Sequence, residues 1–96
     1  MTESSDVVVR NNVGATRYEA VVQGLQCVAD YVIEDNRIIF THTFVPPELR
    51  GKGIAEKLVR AALDDARAQK LKVVPACSYV TEFVQRHAEY RDLTAL

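Results

Sequence analysis

Three places in this chain have residue types that suit chemistry: His42, Cys77 and the run Arg50-Gly51-Lys52-Gly53-Ile54-Ala55. A histidine titrates near neutral pH and can take a proton from an amine or a thiol. A cysteine attacks as its thiolate, and a neighbouring histidine helps it reach that form. The run from Arg50 to Ala55 suits a different task. It sets two glycines and two cations just ahead of an apolar-patterned helix. The first N–H groups of a helix lack intrahelical partners, and the helix dipole adds partial positive charge there. Phosphate groups dock at such places. Gly51 and Gly53 let the backbone approach a ligand that a side chain would block. Each reading has a plainer counterpart. A histidine on an apolar strand is often a satisfied core residue, a free cysteine a small buried hydrophobe, and a basic turn a solvated loop. Cys27 has no such context and reads as structural.

The elements that must position these residues follow from the pattern. Val7-Val8-Val9 is a short strand candidate, and Asn11 to Ala15 is turn-like. Arg17 to Gln23, Leu25 to Ile33 and Ile38 to Val45 read as strands, joined by turns at Gln23-Gly24 and Glu34-Asp35-Asn36-Arg37. Together they predict an antiparallel meander. Strict alternation puts Ile38, Phe40, His42 and Phe44 on one face of the last strand. Pro46-Pro47 ends its pairing, because proline lacks the donor. A helix over about Gly53 to Gln69 carries the stripe Ile54, Ala55, Leu58, Val59, Ala62, Leu63, Ala66, with Asp65 at its edge. Leu71 to Cys77 is a further strand, so strand, helix, strand implies a right-handed crossover and parallel pairing. Pro75 inside that strand marks an edge, or a point where the two parallel strands have parted. A short helix over about Tyr79 to Ala88 buries Val80, Phe83 and Val84, and a tail from Tyr90 to Leu96 packs lightly or frays. The fold class is α+β, with a mixed sheet, in one domain spanning residues 1–96 and frayed ends at 1–5 and 94–96.

Bulk properties narrow the function classes. The 96 residues carry a net charge of −1, which provides no long-range field to draw in nucleic acid. No apolar run approaches a membrane span. Two cysteines fifty positions apart form neither a disulfide framework nor a metal spacing, so no metal is expected. The polar, acidic start Met1-Thr2-Glu3-Ser4-Ser5-Asp6 is unlike a secretory signal, and with two free thiols it points to the cytoplasm.

Arg50-Gly51-Lys52-Gly53-Ile54-Ala55 fits the pattern Arg/Gln-x-x-Gly-x-Gly/Ala of the GNAT superfamily of N-acetyltransferases. With the strand before it and Lys72-Val73-Val74-Pro75-Ala76-Cys77-Ser78-Tyr79 beyond the helix, the chain resembles the small single-domain proteins of the YjdJ type, from about Arg17 to Leu93. The resemblance implies a minimal GNAT fold with acetyl-coenzyme A as donor and an amine as acceptor. Arg50 to Ala55 would wrap its pyrophosphate. The main chain of Phe44 and Val45 would hold pantetheine in a gap between splayed strands, and one N–H there would polarise the thioester carbonyl. Cys77 would lie near the thioester, as a possible acetyl carrier, with His42 as base for the acceptor amine or for Cys77. Tyr79 or Ser78 would protonate the departing thiolate, although Tyr79 falls early for that role and Ser78 suits a helix cap equally.

The chain departs from larger members in one respect. Only about seven residues, Arg10 to Thr16, separate its first two strands, where those members carry helices that shape the acceptor site. The acceptor is then an exposed amine on something large, or the site borrows a partner's surface; its identity and the number of subunits stay open. A non-catalytic module that senses acyl-coenzyme A needs the turn but neither His42 nor Cys77. A nucleotide or RNA binder is a weaker rival, since no P-loop pattern is present.

Overall fold

The computed structural model describes residues 7–94. Five strands form one sheet in sequence order: β1 (Arg10–Asn12), β2 (Arg17–Val22), β3 (Leu25–Glu34), β4 (Arg37–Phe44) and β5 (Lys72–Pro75). The first four pair antiparallel, and β5 joins β4 in parallel. Helix α1 (Ile54–Ala68) links β4 to β5, and α2 (Ser78–Arg86) follows. The predicted α+β class with a mixed sheet is the one observed. The β2–β3 and β3–β4 hairpins turn on paired positive-φ residues, Gln23-Gly24 and Asp35-Asn36. That geometry matches the twist of the strands on either side.

The first strand lies later than expected. Val7 to Val9 form no strand, and β1 begins at Arg10 and runs through Asn11 and Asn12, into the stretch read as a turn. Polar Asn11 and Asn12 conceal it, because their contacts are specific ones. Asn11 Oδ1 accepts from the Tyr31 hydroxyl, and Asn12 Oδ1 accepts from the Ala15 amide to start a 3-10 turn over Val13–Ala15. The tail is also more ordered than expected. Ala88–Thr94 form a 3-10 segment that buries Tyr90 and Leu93, with the Tyr90 hydroxyl donating to Asp64 at 2.6 Å. Residues 1–5, expected to fray, lie outside the described residues, as do 95 and 96.

The α1 stripe is buried as its spacing predicts except at Ala55, which is half-buried beside a cleft: Ile54, Leu58, Val59, Ala62, Leu63 and Ala66 enter one core with Tyr18, Ala20, Ala29, Tyr31, Ile38 and Phe40. Asp65, at the stripe's edge, accepts from the Tyr18 hydroxyl at 2.9 Å. Truncating a side chain as buried as Leu58 would cost about 2–5 kcal/mol. The opposite face of the sheet stays open, with Val21 and Val32 exposed.

Candidate active site at the end of β4

β4 changes character halfway along. Asp30 of β3 pairs with His42 and Tyr31 pairs with Phe40, so Thr41 is an extra residue on β4. Such a bulge moves every later side chain to the other face. Ile38 and Phe40 are therefore buried, His42 and Phe44 are exposed, and Thr43 and Val45 turn inward. This corrects the expectation that His42 and Phe44 share a face with Ile38 and Phe40. The rings of His42 and Phe44 do share a side, nearly parallel with centroids 6.5 Å apart.

The parallel ladder between β4 and β5 ends at Phe40↔Pro75. Beyond it β4 continues for four residues without β5, and β5 itself stops at Pro75 rather than running on to Cys77. The proline that cannot donate thus sits where the two strands part.

A cleft of about 430 Å³ opens beside this unpaired end. That is the scale of a small-molecule site. Its walls include Thr43, Phe44 and Val45 from β4, Arg50 to Gly51 and Gly53 to Glu56 from the turn and α1, and Tyr79 from α2. Of the residues the sequence assigned to the donor, Phe44, Val45, Arg50, Gly51, Gly53, Ile54 and Ala55 line it. Lys52 lines an adjoining recess of about 230 Å³ with Gly53, Glu56, Lys57 and Arg60.

The turn is braced from below by Leu49, which is fully buried at the end of a 3-10 turn over Pro47–Leu49. Gly51 and Gly53 have φ of 83° and 78°. Only glycine holds that conformation without strain. Gly53 is the N-cap of α1 and brings no side chain to cap it. The opening amides of α1 therefore face the cleft with no partner from the cap. Arg50 does not simply project as a free cation. Its Nε donates to the Val45 carbonyl at 2.8 Å, and its guanidinium lies 5.8 Å from the Phe44 ring centroid. The Val45 carbonyl, expected to be free for a ligand, thus has one lone pair already used.

Cys77 is brought to this region and His42 is not brought to Cys77. The Cys77 thiol donates to Thr43 Oγ1 at 3.5 Å. Cys77 is the N-cap residue of α2 and makes no side-chain cap hydrogen bond. Burial pushes the thiol up. The Thr43 hydroxyl, then the nearby Val80, Tyr79 and Thr43 amides, together outweigh it, so the thiol lies below its ordinary value. Ser78 is the first helical residue of α2, not its cap. Burial, then the nearby Glu56 carboxylate, raises the Tyr79 hydroxyl, which suits a proton donor more than a base. His87 is packed, its ring 4.0 Å from that of Phe83 and its Nδ1 2.8 Å from the Phe83 carbonyl oxygen. Cys27 is fully buried, as a structural cysteine should be. Among the described residues no cluster of three His, Cys, Asp or Glu could hold a metal.

Thr43 and Glu56 were not singled out from the sequence. Thr43 is hidden because strict alternation points it the wrong way, and Glu56 because it lies among the charged residues opposite the α1 stripe.

Comparison with known proteins bears on the fold and the family. Over 46 residues the chain is 41% identical to Protein NATD1 of Bos taurus, and equally so to those of Mus musculus and Homo sapiens. That match takes in 48% of this chain and 41% of the bovine protein, so the chain spans about two-fifths of these relatives' length. The fold superposes on the NMR solution structure of a GCN5-like protein from Staphylococcus aureus with a TM-score of 0.72. At 24% identity, that superposition covers 93% of this chain and 88% of the other. The family described as GCN5-related N-acetyl-transferase matches residues 17–93, and the chain belongs to it.

Proposed function

We propose that the protein binds acetyl-coenzyme A in the cleft beside β4 and transfers the acetyl group to an exposed amine. One observation carries the reading. The cleft lies where β4 loses β5 and where the uncapped start of α1 meets the glycine turn, so strand amides and helix amides open into one space. The pyrophosphate would sit on the amides from Gly51 to Ala55, with the outer nitrogens of Arg50 adding charge. The pantetheine arm would lie along Phe44 and Val45, and one of their N–H groups would polarise the thioester carbonyl.

Cys77 is the candidate acetyl carrier, and His42 is the candidate base for an acceptor amine that arrives over the open face of the sheet. The short link between β1 and β2, Val13 to Thr16, leaves that approach unwalled, which suits an amine on a large partner. Both thiols would stay reduced in a cytoplasmic setting.

Titration with acetyl-coenzyme A, followed by amide NMR, tests the binding. Shifts should concentrate at Thr43 to Val45 and Gly51 to Glu56; a titration that moves neither group sinks the reading. Turnover on a panel of free and peptide amines then tests the transfer.

A second reading is favoured by one finding: His42 faces away from Cys77. A sensor of acyl-coenzyme A needs the cleft and no base. It would give the same amide shifts with no acetylated amine and no acetyl-Cys77 by mass spectrometry.

A further inference from the structure

Cysteine nucleophiles are commonly activated by a histidine. This chain has two histidines, and neither serves Cys77. The bulge at Thr41 turns His42 onto the exposed side of β4. His87 is stacked on Phe83 with Nδ1 at the Phe83 carbonyl and Nε2 4.0 Å from Glu56. What the structure sets against the sulfur is Thr43, from the half of β4 that has lost its parallel neighbour. Its hydroxyl oxygen is 3.5 Å from Sγ, and Thr43 also lines the cleft.

We propose that Thr43 is the positioning residue for Cys77, and that its hydroxyl, with the start of α2, takes the place of a histidine in readying the sulfur to accept an acyl group. The bulge is what makes this possible. With strict alternation Thr43 would face out of the core and His42 would face in; the extra residue exchanges them. When the thiol has lost its proton, the Thr43 hydroxyl reverses its role and donates to the sulfur. Backbone amides at the α2 N-terminus add partial positive charge on the same atom. The hydroxyl also ties the sulfur to Thr43, a residue of the cleft wall.

The proposal deepens the acetyl-transfer reading and rests on it for the identity of the acyl donor. In that exchange the Cys77 thiolate adds to the thioester carbonyl carbon. A bond from that carbon to Sγ forms, its bond to the coenzyme sulfur breaks, and the coenzyme leaves as a thiolate. The acceptor amine then takes the acetyl group, Cys77 leaves again as a thiolate, and the amine's proton passes to solvent by way of His42, the candidate base.

The test uses iodoacetamide and no coenzyme A, so it stands or fails apart from acetyl transfer. Alkylation at Cys77 is followed across pH by peptide mass spectrometry. Cys27 is the internal control, since a fully buried thiol stays unlabelled while the protein is folded. Thr43→Val should slow Cys77 alkylation about three- to tenfold at neutral pH and move its midpoint to higher pH. Thr43→Ser should restore both. If Cys27 becomes labelled in the valine variant, Thr43→Ala takes the same test. An unchanged rate and midpoint in a folded variant lacking the hydroxyl, or a serine variant that behaves like the valine one, overturns the proposal.

Discussion

Arg50 Nε lies 2.8 Å from the Val45 carbonyl oxygen, so the first residue of the glycine turn is tied back to the strand end it follows. The turn is thereby held open over the cleft, and the guanidinium keeps further N–H groups for an anion. A lysine has charge but no fork to do both. Arg50→Lys is expected to weaken coenzyme A binding about tenfold by calorimetry, a loss on the scale of one charge-assisted hydrogen bond. Equal affinity would mean that the arginine is only a brace.

Gly53 separates two effects that usually come together. A Cβ built there would meet nothing within 4 Å, yet φ is 78°. Gly53→Ala should therefore cost about 1–2 kcal/mol in denaturant unfolding, from backbone conformation alone. If a diphosphate sits against this backbone, binding should fall by more than that stability loss explains. A binding loss no larger than the stability loss would place the diphosphate elsewhere.

Acid should act through Glu19, on β2. Hydrogen bonds from Arg10 at 2.6 Å and Arg17 at 3.1 Å hold its carboxyl down to about 2, against an ordinary value of 4.5. A carboxylate depressed in the folded state stabilises it fully above its unfolded value, and that stabilisation is lost as pH falls toward the folded value. Wild type should exceed Glu19→Gln in urea midpoint at pH 7. The difference should shrink between about 4.5 and about 2. A constant difference across that range would mean the effect is not the carboxylate's charge.

The recess beside the cleft is lined by Lys52, Lys57 and Arg60, with Glu56 held at 3.0 Å by Arg60. Paired charge reversal, Lys52→Glu with Lys57→Glu, should weaken coenzyme A binding about tenfold or more at low salt and less at high salt. Dephospho-coenzyme A should show which phosphate is felt. If the two ligands lose affinity equally, the lysines act on the diphosphate and not on the additional ribose phosphate.

His42 and Cys77 should prove independent. His42→Ala should leave Cys77 alkylation within about twofold of wild type, because burial and hydrogen bonding set the thiol, not an imidazole. Turnover on an amine acceptor should fall about 10²-fold or more if His42 is the base. Coupled loss of both would place the histidine against the sulfur after all.

Much of this was legible in the sequence because it rests on local rules. The α1 stripe, the two hairpin turns and the glycine positions are each set by a few neighbouring residues, and each appears where expected. Much of the cleft's lining was legible because a short run of chain, Arg50 to Ala55, builds a large part of it. Illegible were features that depend on pairing across distance. The Thr41 bulge arises from the register between β3 and β4, and nothing in the alternation of β4 announces it. The strand at Arg10–Asn12 is polar and is held by Glu19 and Tyr31, both distant in sequence. The ordered tail likewise depends on Asp64 and on Arg67, whose guanidinium reaches Asp92 at 2.9 Å.

The bulge in β4 divides one strand into two jobs. Upstream of Thr41, inward positions answer to the fit of the core. Downstream, the same inward direction is filled by Thr43 and Val45, which border the cleft as well. Substitutions in the first half are thus constrained by volume, and those in the second by chemistry. Deleting that single residue would restore uniform alternation, swinging His42 toward Cys77 and Thr43 into solvent. Which group faces Cys77 would then be exchanged by parity alone, with no other side chain changed.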